Sequence, residues 1–307
     1  MRAGIFSLCL AIGLVALARI AQTNPYDLAL HHWGLTLAVA LAGLFLLVSA
    51  ARSVKPTHRG EGLAAVGALG GFVIAVAIVS AELAVGPPQR IAAAPGQTYR
   101  LPGSRSIEIE YPQTDGAALA SHPPDSVIVM TDGRPSVLRV GSSLQTRSYV
   151  FDAARWPAAY VSAKSSDRID QTVTQPQGAA FVSPVLLFPD VDSDGLPVDS
   201  FSVPALHRDV HVKYYPGLPS RGIDIPFVQL QVDEENGGTL FSGVSVSGRR
   251  LHAGGIELTF ALGSYPVVTV APVPDAFMTL AGACMIGAGL LGYVIIMIRT
   301  ALAQSAP

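Results

Sequence analysis

Apolar and polar residues divide this chain into blocks. Four runs, Ala3 to Ala21, Trp33 to Ala50, Leu63 to Val85 and Ala276 to Ile298, are almost wholly apolar, and each approaches the roughly 20 residues that a helix needs to cross a bilayer's hydrocarbon core. Between the third and fourth runs the apolar residues come in short bursts separated by polar turns. The pattern predicts three transmembrane helices within 1–86 (3–21, 33–50 and 63–85), a water-facing domain over 87–274, and a fourth helix (276–298) with a short tail within 275–307. The first run also has features of a cleaved signal peptide, with Arg2 ahead of it and Ala16, Ala18 and Ala21 near its end. The second run begins only a short link later, which reads better as the turn of a helical hairpin.

Orientation follows from the basic residues, which collect in cytoplasmic loops. Arg52, Lys55 and Arg59 lie between the second and third runs, whereas the link Gln22 to His32 has no Lys or Arg. Arg2 and Arg299 agree, and Arg19 dissents. The expectation is a multi-pass protein of the inner (cytoplasmic) membrane with cytoplasmic N- and C-termini and a periplasmic, extracytoplasmic domain.

That domain reads as all-β or β-rich, a sandwich or barrel-like fold. Ser126 to Met130, Phe227 to Val232, Leu240 to Val246 and Ile256 to Leu262 mix β-branched and aromatic residues, punctuated by Gly, Pro, Asp and Asn. Glu234-Glu235-Asn236-Gly237-Gly238 is a hairpin turn signal, since Asn and Gly tolerate positive φ. Ala153 to Lys164 is a candidate short helix interrupted by Pro157. Ser162 to Ala179 is expected to be an exposed loop.

Composition narrows the function. A formal net charge of -2 supplies no basic surface for nucleic acid. The two cysteines, Cys9 and Cys284, both lie inside apolar runs, so the outer domain has no disulfide framework and no redox pair. No Gly-x-Ser-x-Gly elbow, His-Glu-x-x-His helix, P-loop or dinucleotide glycine fingerprint occurs. The chain is expected not to be an enzyme.

Three constellations carry candidate chemistry. Asp190, Asp192 and Asp194 followed by Gly195 form the opening half of a calcium loop, with oxygen ligands at positions 1, 3 and 5 and a turn at 6. Position 12 is Phe201, and Asp199 is the candidate replacement ligand; a solvated acidic turn explains the same residues. Asp27, His31, His32 and Trp33 stand where the second run begins. Paired imidazoles there are candidate haem or metal ligands, while Trp33 as an interfacial residue with polar flanks is the plainer account. His207 and His211, four apart with Arg208, Asp209 and Lys213, would share one face of a strand; a solvated strand face serves equally. Glu82, an ionisable group near the membrane, is a further candidate.

Several stretches together resemble the ResB family of system II cytochrome c biogenesis proteins. Tyr26-Asp27-Leu28-Ala29-Leu30-His31-His32-Trp33, an apolar span and then Arg52 are similar to that family's second helix. Gly86 and Pro95-Gly96-Gln97-Thr98-Tyr99-Arg100-Leu101-Pro102 look like its lead into the β domain. Gly255 to Phe260, Tyr265 to Val270 and Val273-Pro274-Asp275 look like the way out. The chain departs from the family in having no histidine between Leu63 and Val85 and a shorter outer domain. The resemblance implies a non-catalytic membrane subunit, in the lipid bilayer among other integral membrane proteins, that assists haem delivery or apocytochrome c handling beside a haem-handling cytochrome c synthase subunit. It makes His31 or His32 the candidate haem contact. Two other readings stand beside it. One is an accessory subunit of a respiratory or photosynthetic membrane complex without its own cofactor, and the other is a calcium-dependent adhesion or sensor module on a membrane anchor.

Overall fold

The structure, a computed structural model, describes every residue except 1, 53–60, 86, 103, 105, 176–180, 183–184, 189, 236 and 305–307. The link with Lys55 and Arg59 therefore lies outside the described residues. Four helices are long and apolar enough to cross a membrane: α1 (Arg2–Thr23), α2 (Trp33–Arg52), α3 (Glu61–Val85) and, at the far end of the chain, α5 (Ala276–Gln304). Half of the apolar window of α3 is buried, against 22–28% for the other three, so α3 is the central helix. Glycines make this possible. A Cβ on Gly70 would fall 2.5 Å from the Gly282 carbonyl oxygen, and one on Gly289 would fall 2.8 Å from the Gly67 nitrogen. The backbones of α3 and α5 are thus in direct contact, as small residues at helix crossings permit. The outward faces of α1, α2 and α5 remain apolar, with Phe6, Leu41, Leu280 and Leu291 exposed.

Between α3 and α5 the chain is β-rich and antiparallel throughout. Its strands are β1 (Gln89–Ile91), β2 (Thr98–Arg100), β3 (Ile107–Glu110), β4 (Ser126–Thr131), β5 (Arg134–Arg139), β6 (Ser143–Gln145), β7 (Tyr149–Ser165), β8 (Asp170–Gln171) and β9 (Thr174–Gln175). There follow β10 (Phe181–Val182), β11 (Val185–Leu186), β12 (Asp190–Val191), β13 (Pro197–Val203), β14 (Arg208–Tyr215), β15 (Phe227–Glu234), β16 (Thr239–Val246), β17 (Arg250–Ala253) and β18 (Ile256–Pro272). A short helix, α4 (Gly116–Ser121), is capped by Asp115, whose carboxylate accepts from the Ala118 amide.

The organising element is a long ribbon. β7 and β18 pair along their whole length, from Ile256 opposite Ser165 to Pro272 opposite Tyr149. One half of the ribbon packs with the sheet β2-β3-β4-β5 around Ile109, Val129, Phe151 and Tyr265. The other half packs with the sheet β10-β9-β13-β14-β15-β16 around Phe201, Val210, Leu230 and Phe260. Two cores are therefore strung on one ribbon, and among the described residues none of the three sheet paths closes into a barrel.

The predicted strands at 126, 227, 240 and 256 are present, and the Glu234 to Gly238 segment turns between β15 and β16. The Glu234 amide donates to the Gly238 carbonyl at 2.9 Å, and Gly237 adopts a φ of +105°. Two expectations fail. Ala153 to Lys164 is not a helix but the middle of β7, because pairing with β18 runs unbroken along the whole stretch and gives its backbone partners on that side. Ser162 to Ser165, expected in a loop, finish that strand, and β8 and β9 follow; 176–179 lie outside the described residues.

Candidate functional site

The link between α1 and α2 folds back as a series of tight turns. The Asn24 amide donates to Ile20, Leu30 to Asp27 and His31 to Leu28, while the Asp27 carboxylate accepts from the Ala29 amide at 3.0 Å. These turns bring the His31 side chain, 2% exposed, against α3. Its Nε2 lies 2.8 Å from the Pro25 carbonyl oxygen, and its Nδ1 lies 2.7 Å from Glu82 Oε1. A carbonyl only accepts, so Nε2 carries a hydrogen. Nδ1 either donates to the Glu82 carboxylate or accepts from its carboxyl. In both placements each ring nitrogen is engaged, and ligating iron would require one of these hydrogen bonds to break.

His32 has a different task. It precedes the first turn of α2, and its Nδ1 accepts from the Gly34 amide at 3.1 Å while its carbonyl accepts from Leu35. This is an N-cap, which satisfies one of the donors that a helix start leaves unpaired. Its ring lies 5.8 Å from that of Trp33, which is 74% exposed. Adjacent in sequence, the two imidazoles are divided in function: one locks the link to α3 and the other starts α2.

Beside the lock, Gln22, Asn24, Tyr26 and Asp27 face Ser143, Gln145 and Asp152 across a cavity of about 610 Å³ between the helices and the ribbon. Burial first, and then the neighbouring Asp152 carboxylate, push the Tyr26 phenol well above its ordinary range. Two further ties cross this junction. Arg147 pairs with Asp275, and Gln22 donates to the Pro274 carbonyl at 3.4 Å. Asp275 also caps α5 by accepting from the Met278 amide at 2.9 Å.

The acidic loop contains a cation of its own. Asp192 Oδ1 accepts from the amides of Asp194 and Leu196, and Gly195 completes the turn at a φ of +75°. The Lys213 ammonium, from β14, pairs with Asp192 and lies 2.8 Å from Asp194 Oδ2. That hydrogen bond from Lys213 is the main cause holding Asp192 below the usual carboxylate range. Asp190 stands exposed on β12, and Asp199 is engaged by backbone amides outside the loop. Its Oδ2 accepts from the amides of Leu187 and Phe188, both at 3.2 Å, and its Oδ1 from Ser200. Burial dominates there and raises Asp199 to about 6. The four aspartates do not converge, and among the described residues no group of three or more His, Cys, Asp or Glu is arranged to hold a metal ion.

His207 and His211 do not share a strand face either. His207 precedes β14 in a left-handed conformation, φ +52°, and pairs with Glu235, whereas His211 lies on β14 near Asp233. The pairings of His31 with Glu82 and of Arg147 with Asp275 were not foreseen from the sequence. In the sequence His31 and Asp275 are polar groups beside apolar runs, Glu82 is a carboxylate within one, and Arg147 is a single charge inside the polar domain.

No family model matches the chain, and no curated protein matches it. Among solved structures, FlgL of Xanthomonas campestris aligns at 11% identity over 96% of this chain and 90% of its own, with a TM-score of 0.11. The flagellar junction protein FlgL from Legionella pneumophila aligns at 8% identity over 93% and 89%, with a TM-score of 0.14. Likeness at this level carries no argument about fold or function.

Proposed function

We propose that the chain is a non-catalytic, multi-pass subunit of the inner membrane that presents its β-rich region at the outer face, on the plan of ResB, and works there with other integral membrane proteins in cytochrome c biogenesis. The observation that carries this reading is the arrangement itself: three apolar helices, a β region tied to them by Arg147 and Asp275, and a fourth apolar helix packed on the third. Apolar side chains left exposed around α1, α2 and α5 support insertion in lipid. The basic Arg52 at the end of α2 supports cytoplasmic termini. A cysteine placed at exposed Ser142 should be labelled by an impermeant maleimide added to intact cells; labelling only after lysis would reverse the orientation.

One observation favours a second reading, an accessory subunit without its own cofactor. Both nitrogens of His31 are hydrogen-bonded, and His32 is spent on capping α2. Purifying the full chain in mild detergent and recording the visible spectrum together with the co-purifying proteins separates the two. A Soret band and a cytochrome-assembly partner are the outcome expected of the biogenesis subunit. A colourless protein in a stoichiometric respiratory or photosynthetic complex would replace it by the accessory subunit.

A further inference from the structure

A sheet edge is a row of unpaired N–H and C=O groups, and folded proteins guard such edges with charge, proline, brevity or a covering element. This chain guards nearly all of its own. β5 carries Arg134, Pro135 and Arg139; β17 carries Arg250 and His252; β1 and β2 are three residues each and contain Arg90 and Arg100. Even the unpaired side of β18 between β17 and β1 is closed. The Gly248 amide donates to the Phe260 carbonyl, Ser247 Oγ accepts from the Leu262 amide, and α4 approaches so closely that a Cβ on Gly263 would meet the Leu119 carbonyl at 2.1 Å.

β16 is the exception. It ends the six-strand path, bonding to β15 on one side, and among the described residues no strand pairs its other side. It is eight residues long, Thr-Leu-Phe-Ser-Gly-Val-Ser-Val, with no charge and no proline. Ser242 and Val244 are exposed along it. Its flanks are charged in opposite senses: Glu234 and Glu235 stand exposed before its start, beside Arg208 and His207, and Arg249 and Arg250 stand exposed after its end, Arg250 3.7 Å from Glu257.

We propose that β16 is a docking edge for an extended segment of a partner polypeptide, which adds to the sheet as a further antiparallel strand. The backbone of an eight-residue edge offers about four outward N–H and C=O pairs, and only another extended chain matches their spacing. The flanks then set the direction. The partner segment is uncharged through its middle, basic where it passes Glu234 and Glu235, and acidic where it passes Arg249 and Arg250. The assignment rests on the β region alone and holds whichever membrane role is correct.

The test uses the full chain in detergent and a synthetic peptide carrying the Phe227–Val232 sequence between two N-terminal glutamates and two C-terminal lysines. That core already fits β16 in the native register, Phe227 opposite Val246 and Val232 opposite Phe241. Hydrogen exchange at the outward β16 amides, those that do not bond to β15, is expected to slow about tenfold at millimolar peptide, and the same peptide N-methylated at alternate residues should give no protection. Since that change is made in the probe, folding of the chain is not at issue. Unchanged exchange with the parent peptide, or equal protection by the N-methylated one, overturns the proposal. Equal protection by a peptide with its terminal charges exchanged overturns the assigned direction. Outward β16 amides already protected without peptide, in a dimeric sample, would give the edge to a second copy of the chain instead.

Discussion

Asp199 shows how a single carboxylate can misdirect a reading made from spacing. Its distance from Asp190 suits a calcium ligand, yet the side chain is buried and holds the Leu187 and Phe188 amides in place. Because burial raises its folded value to about 6, the folded state binds the proton more tightly than the unfolded state does. Stability from this group is therefore greatest below the ordinary carboxylate value and is lost as pH rises through about 6. The change is on the order of 2–3 kcal/mol. Thermal melting of the β signal should show that decline between the ordinary carboxylate value of 3.8 and about 6, and Asp199→Asn should flatten it; an unaltered slope in the variant would locate the titration elsewhere. Lys213 gives the companion prediction. With its ammonium between Asp192 and Asp194, millimolar calcium should leave wild-type melting unchanged, and Lys213→Met, which leaves the two carboxylates without their cation, should lower the melting temperature. Alternating aspartates are visible in the sequence. A lysine 19 residues away from Asp194 that neutralises them is not.

The helices were legible because long apolar runs have few alternatives, and their contacts yield to a direct experiment. Gly282→Val drives a side chain into the Gly70 carbonyl and should weaken the α3–α5 crossing by about 1–3 kcal/mol. Gly287→Ala, with nothing within 4 Å of its Cβ, should be neutral. Comparing the detergent melting of the two variants checks the crossing, and equal melting would deny it. The ribbon was harder to read. β7 is rich in alanine and holds Pro157, so local propensity favoured an interrupted helix, but pairing with β18 along 17 residues overrides propensity. Proline is tolerated because it lies where a strand has no second neighbour. Pro157 lies between the residues of β7 that pair with β6 and β11, and Pro266 lies between the stretches of β18 that pair with β17 and β1. No local window contains that information, since it depends on which other strands fall short of those positions.

At the scale of the molecule, the question is how firmly the β region is held to the helices. The order of blocks was legible; their docking was not, because Arg147 and Asp275 lie 128 residues apart. Asp275 couples the two, since one carboxylate caps α5 and accepts from Arg147. Burial opposes its charge, but the Met278 amide and the Arg147 guanidinium outweigh burial and hold it below the usual range. A depressed folded value means that its contribution is present above the unfolded value and is lost as pH falls through the folded one. Separating its two roles requires two variants. Asp275→Ala removes cap and ion pair together and should destabilise α5 by about 1 kcal/mol, with faster exchange at the Met278 amide. Asp275→Asn keeps an oxygen for the cap, because asparagine caps about as well as aspartate, but leaves Arg147 without its charge partner. Exchange at Met278 should then stay slow while the Thr146–Tyr149 segment, which carries Arg147 and turns from β6 into β7, opens faster. If both sites respond alike in the two variants, the β region is held by its backbone connections to α3 and α5, and the ion pair merely decorates the junction.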